Sequence, residues 1–158
     1  MTEFTLTPLP APFPSEFWNY SRDGDPLVAD LFNKHYSRYH YKDGRQTKLF
    51  VGPGEKIVLI SKNRDAIFIW RKFHSMDNQE GVNCSVFRNE GPILSSHLIK
   101  DAMEIAWHRW PGARLYTYVN PEKIKSSNPG FCFKKAGWKR CGITKARKLL
   151  ILEAYPKS

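Results

Sequence analysis

Apolar positions along this chain follow two rhythms. "KIVLISK" (56–62) and "AIFIWRKF" (66–73) are short runs rich in β-branched and aromatic side chains, which suit a pleated, buried surface. Only "NRD" separates them, so they predict an antiparallel hairpin. "VNCSVFR" (82–88) reads as a further strand. "ILSSHLIKDAMEIAWHRW" (93–110) then changes to helical spacing, with Leu94, Leu98, Ala102, Ile105 and Ala106 on one stripe and Pro111-Gly112 as its stop. "RLYTYVN" (114–120) is again a strand. "SSNPGFCFKKAGW" (126–138) predicts a loop and a short helix stopped at Gly137. "KRCGIT" and "KLLILEAY" predict two closing strands, turned at Lys145–Lys148. Upstream, "PLVADLFNKHYSR" (26–38) predicts a helix that opens on Pro26 and presents Leu27, Leu31 and Phe32 on one face.

Residues 1–25 contain Pro8, Pro10, Pro12 and Pro14 and predict an extended arm, with Phe13, Phe17 and Trp18 as anchors. The expected organisation is this arm (1–25) followed by one domain (26–158). Its fold class is α/β of the α+β kind: a mixed sandwich around a central, mostly antiparallel sheet, distinct from a doubly wound parallel fold. The chain of 158 residues, 41% of them apolar, is long enough for one domain with its own core.

Charge narrows the partner. The net charge of +10 favours a polyanion such as nucleic acid, or an anionic cofactor. Cys84, Cys132 and Cys141 form no CxxC pair and lack the histidine spacing of a zinc site, so no metal ligands are assigned. Reduced cysteines point to the cytoplasm. The first residues lack the basic start and unbroken apolar run of a signal peptide, and no stretch approaches the ~20 apolar residues of a membrane span.

The junction "SVFRNEGPILSS" raises a specific chemistry. Arg88, two polar residues and Gly91 stand where a strand meets a long helix. The first N–H groups of a helix lack internal acceptors and carry partial positive charge, a glycine admits close approach, and an arginine adds a full charge. Such a junction can bind a diphosphate. On the local string alone, a tight turn with a solvated arginine is the favoured reading.

The order of elements together with this loop resembles the GNAT superfamily of N-acetyltransferases, whose members hold the pyrophosphate of acetyl-CoA at a Q/R-x-x-G-x-G/A loop between a strand and a long helix. Arg88 and Gly91 match; Ile93 departs from the small last residue, and Pro92 removes one N–H. Downstream, Asn128 and "CFKKAGW" (132–138) resemble the Asn and "LYEKLGF" of that superfamily, with Phe133 where many relatives carry a general-acid tyrosine. The resemblance implies a sheet splayed near Asn83–Phe87 and Leu115–Asn120. It implies an acyl-CoA held by Val86, Phe87, Arg88, Asn89, Glu90, Gly91 and Phe133. "HYSR" (35–38) narrows it toward phage and prophage relatives similar to the Mom-type proteins, which modify adenine in phage DNA and have been associated with a metal ion.

On that resemblance the expected activity is acyl transfer to a nucleobase amine in DNA. His35 and Tyr36 are placed beside the base, and Ser127 and Asn128 near the acyl carbonyl. Arg38, Tyr39, Lys123, Lys125, Lys134, Lys135, Lys139 and Arg140 are placed on DNA. Aromatic faces stack on bases and cations pair with phosphates, which gives "HYSRYHY" and "KKAGWKR" their use. The plainer readings are packed aromatics, helix caps and solvated charge. Two other activities fit the same residues: acetylation of a small-molecule or protein amine, and DNA binding without catalysis on the same scaffold. The absent tyrosine hydroxyl at Phe133 favours the latter.

Overall fold

The computed structural model describes residues 13–34, 49–75, 77–122 and 130–157. Among them seven strands form one sheet in the order β1-β2-β3-β4-β5-β7-β6, with three helices. The strands are β1 (Trp18–Tyr20), β2 (Glu55–Ser61), β3 (Ala66–Lys72), β4 (Val82–Asn89), β5 (Leu115–Val119), β6 (Lys139–Ile143) and β7 (Leu150–Ala154). All neighbours pair antiparallel except β4 and β5, which are parallel. The α+β class with a mostly antiparallel sheet is therefore as expected. No helix among the described residues is long and apolar enough to cross a membrane.

Helix α2 (Ser95–Arg109) covers one face of the sheet. Its buried positions are Ser96, Leu98, Ile99, Ala102, Met103, Ile105 and Ala106, packed with Leu59, Phe68, Trp70, Cys84 and Leu115. Leu94 is not on that stripe: it sits at the helix cap in an extended conformation and is 61% exposed. Helix α1 (Pro26–Phe32) covers the other face and buries Val28, Leu31 and Phe32 against Val58, Ile60, Ile67, Ile69 and Val86. The Asp25 side chain accepts from the Leu27 N–H, fixing the start of α1. That start sets the helical phase, so Val28 rather than Leu27 joins Leu31 and Phe32, and Leu27 faces out.

The segment read as an arm contributes to the sheet. Trp18–Tyr20 pairs with β2, and the Trp18 indole donates to the Leu98 carbonyl at 2.9 Å. Asp101 on α2 accepts from the Ser15 hydroxyl and the Phe17 N–H. The fold thereby ties this segment to the helix that carries the candidate site.

Candidate functional site

The parallel seam of the sheet is short. β4 and β5 pair only at Val82–Leu115, Asn83–Tyr116 and Cys84–Thr117, and the Thr117 hydroxyl closes the seam by donating to the Cys84 carbonyl. Beyond Cys84 no described strand pairs with β4 on its β5 side. The β3–β4 register shifts at the same level, from Ile69–Val86 to Trp70–Cys84, leaving Ser85 as a bulge. A bulge bends its strand, and this one lies where β4 leaves β5. Pairing thus ends inside the span expected to splay, Asn83–Phe87 against Leu115–Asn120, while Asn83 and Cys84 themselves stay paired.

The residues that follow the splay form the loop into α2. The Arg88 guanidinium donates to the Lys34 carbonyl at 2.8 Å and pairs with Glu90 at 3.2 Å. Asn89 organises the turn: its Oδ1 accepts from the Gly91 N–H, and its Nδ2 donates to the Ile93 carbonyl and the Ser95 hydroxyl. Glu90 N–H donates to the Asp65 carbonyl. Gly91 leaves room for the Asp65 carboxylate, since a Cβ there would lie 2.2 Å from Asp65 Oδ2 unless that side chain moved. The first turn of α2 carries no side-chain cap. For a diphosphate, the helix start and Arg88 fit. The Gly91 N–H, already donated to Asn89, and the carboxylates of Asp65 and Glu90 oppose an anion there.

Strand alternation separates the two apolar residues of β4 that were assigned, with Phe133, to the acyl donor. Val86 lies in the core under α1, whereas Phe87 faces the α2 side. There the Phe87 ring meets Phe133, with centroids 5.9 Å apart, and Phe133 also packs edge-on against Trp138 at 4.9 Å. Phe133 lies on α3 (Phe131–Lys135) and is 7% exposed, so it is a core residue beside the splay. Burial pushes the Cys84 and Cys132 thiols up, which suits packing and opposes nucleophilic use.

The basic residues divide. Lys134 and Lys135 close α3, and Lys135 stands 5.8 Å over the exposed Phe131 ring. On β6, Lys139 lies opposite Glu153 and Arg140 opposite Leu152, so their side chains leave opposite faces of the sheet. His35, Tyr36, Arg38, Tyr39, Lys123, Lys125, Ser127 and Asn128 lie outside the described residues. Among the described residues no group of three or more His, Cys, Asp or Glu converges as a metal site.

One polar constellation had no place in the sequence reading. Tyr118 on β5 donates to Asp77 Oδ1 at 2.7 Å, and the buried Ser75 hydroxyl donates to the same oxygen at 2.8 Å. Burial pushes the Asp77 carboxyl up, but hydrogen bonds from Tyr118, Ser75 and nearby backbone N–H groups outweigh it and hold the pKa low. Burial first, and then the Asp77 charge and its hydrogen bond, push the Tyr118 hydroxyl up. The alternation of Tyr116 and Tyr118 along "LYTYV" was the available signal; the β3–β4 turn that meets them was not legible from it. Separately, a groove of about 960 Å³ follows the outer side of α2 past His97, Asp101 and Trp107 to Tyr155, and none of the residues assigned to a site lines it. Comparison with protein-family models, with curated proteins and with solved structures found no match.

Proposed function

We propose that this chain is an acyl-CoA-dependent N-acyltransferase acting on a nucleobase amine in DNA. The observation that carries this reading is the seam: β4 and β5 pair over three positions and then part. That edge of β4, Ser85–Asn89, which pairs with no strand among the described residues, runs directly into the Arg88–Gly91 loop and the uncapped start of α2. Unpaired strand edges inside a domain call for a hydrogen-bonding partner, and an extended amide chain such as pantetheine supplies one. Its diphosphate then meets the helix start and Arg88.

In the reaction the amine nitrogen bonds to the acyl carbon as the C–S bond breaks. The nitrogen gives up a proton and the departing thiolate takes one. An exocyclic base amine is a weak nucleophile, so orientation and a polar group at the carbonyl supply much of the rate. The base must leave the stack to be reached. The net charge of +10 favours the polyanion.

Calorimetry with acetyl-CoA and mass spectrometry of nucleosides from DNA of expressing cells test this reading. Binding together with an acylated nucleoside is the expected result. Binding with only ordinary nucleosides moves the activity to a small-molecule or protein amine. A second reading, DNA binding without catalysis on the same scaffold, is favoured by the burial of Phe133 and by the carboxylate of Asp65 against Gly91. DNA retention without acetyl-CoA binding selects it.

A further inference from the structure

Of the four buried side-chain polar atoms that lack a hydrogen-bond partner among the described residues, two belong to residues paired across the seam: Asn83 Oδ1 on β4 and the Tyr116 hydroxyl on β5. Asn83 is 6% exposed and Tyr116 is fully buried. They lie on the α1 side of the sheet, one position before the strands part. An unpaired buried polar atom costs stability, so two together at a cleft call for a use.

The neighbours define what would satisfy them. Burial raises the Tyr116 hydroxyl pKa and the nearby Ser75 partly offsets it, but the Ser75 hydroxyl bonds Asp77 and the Gln79 N–H, and the Tyr116 hydroxyl is left without a hydrogen bond of ordinary geometry among the described residues. The ring of Tyr118 stands edge-on to that of Tyr116 at 5.7 Å. The two arginines nearby each bond elsewhere. Arg71 donates to the Pro53 carbonyl and covers the Phe73 ring, and Arg114 is bonded to Glu153 and the Glu80 carbonyl. The open capacity of the two unpaired atoms is for a hydrogen-bond donor. Asn83 Oδ1 only accepts, the Asp77 carboxylate accepts, and the Tyr116 hydroxyl can also donate. Adenine and cytosine each present an exocyclic amine beside a ring nitrogen, which is the complementary edge, on a flat ring that suits two tyrosines.

We propose that the patch where Asn83 pairs with Tyr116, bounded by Tyr118 and Asp77, receives the exocyclic amine of the acceptor nucleobase; this rests on the acyl-transfer reading. The occupant reaches it by displacing the Tyr118–Asp77 link, an exposed hydrogen bond.

The test uses the full chain with 2′-deoxyadenosine and 2′-deoxycytidine, each against its analogue lacking the amino group, followed by saturation-transfer NMR. The amino compounds are expected to bind at least about fivefold more tightly, the scale of one hydrogen bond. Tyr116→Phe is expected to abolish that preference while raising the unfolding midpoint by about 2–4 °C, because it removes an unpaired hydroxyl. Asp77→Asn, on the exposed turn, is expected to reduce the preference about threefold without touching the core. Equal binding of compounds with and without the amine overturns the proposal, as does a Tyr116→Phe protein that keeps the preference. Acetyl-CoA binding measured on the same samples separates the two claims. Donor binding without amine preference sinks this site alone. Amine preference without donor binding sinks the acyl-transfer reading and leaves the site.

Discussion

Gly91 and Asp65 meet so closely that a side chain on the glycine would have to push the carboxylate aside: a Cβ on Gly91 would fall 2.2 Å from one carboxylate oxygen and 2.7 Å from the other. The carboxylate is held there by the Ser61 hydroxyl, whose oxygen also accepts from the Asp65 and Ala66 N–H groups. The loop into α2 is thus gauged against the β2–β3 turn.

Gly91→Ala should therefore cost about 1–3 kcal/mol, the scale of overpacking. Asp65→Ala should remove most of that cost, since the obstacle is the carboxylate. A urea double-mutant cycle reads this as a coupling of at least about 1 kcal/mol. Additive losses would mean that another contact makes the glycine necessary.

Arg88→Ala separates binding from folding. Its pair with Glu90 is about one-third exposed, so screening limits its share of stability to about 0–1 kcal/mol. Loss of a charge-assisted hydrogen bond to a diphosphate should cost about 1–3 kcal/mol of acetyl-CoA affinity. Calorimetry and thermal unfolding on the same variant should show a large effect in the first and a small one in the second.

Phe133→Ala should destabilise by about 3–5 kcal/mol, because it removes a buried ring between Phe87 and Trp138. Phe133→Tyr puts a hydroxyl into the same packing and should cost about 1–3 kcal/mol unless the splay admits it to solvent. Denaturant midpoints distinguish these outcomes, and a neutral Tyr variant would indicate an open path from the ring edge to the cleft.

The Asp77 link predicts a pH signature. Its folded pKa is depressed, so its stabilisation is present above the ordinary carboxylate range, near 3.9, and is lost as pH falls through the folded value. Tyr118→Phe removes one donor to the carboxylate. The variant should be less stable than the parent at pH 7, and the gap should close below about pH 4. Midpoints measured from pH 7 to pH 3 check this; a gap that widened on acidification would reverse the sign.

What the sequence revealed depended on range. β2, β3 and α2 were readable because β-branched runs and helical spacing are local. β1 was not, because "WNY" is too short for a period and becomes a strand only through β2 and the Trp18–Leu98 bond. Leu27 and Leu94 were misplaced because the exact start of a helix fixes its face, and a cap shifts that start by a residue. At the loop, the Arg88–Gly91 spacing was visible. The carboxylate that meets the glycine comes from a separate turn, and a linear pattern does not bring the two together. Tyr116 and Asn83 likewise acquire meaning only when a parallel register sets them opposite each other.

The short seam also makes the sheet a hinged pair of leaves. β1 to β4 form one continuous ladder and β5, β7 and β6 another, joined by three residue pairs and bridged by α2. Opening fluctuations should concentrate at that spine, so amides of β5 on the seam side should exchange faster than those it shares with β7. A molecule seated in the splay would bind the leaves together and slow that exchange, turning occupancy of the cleft into cohesion of the whole sheet.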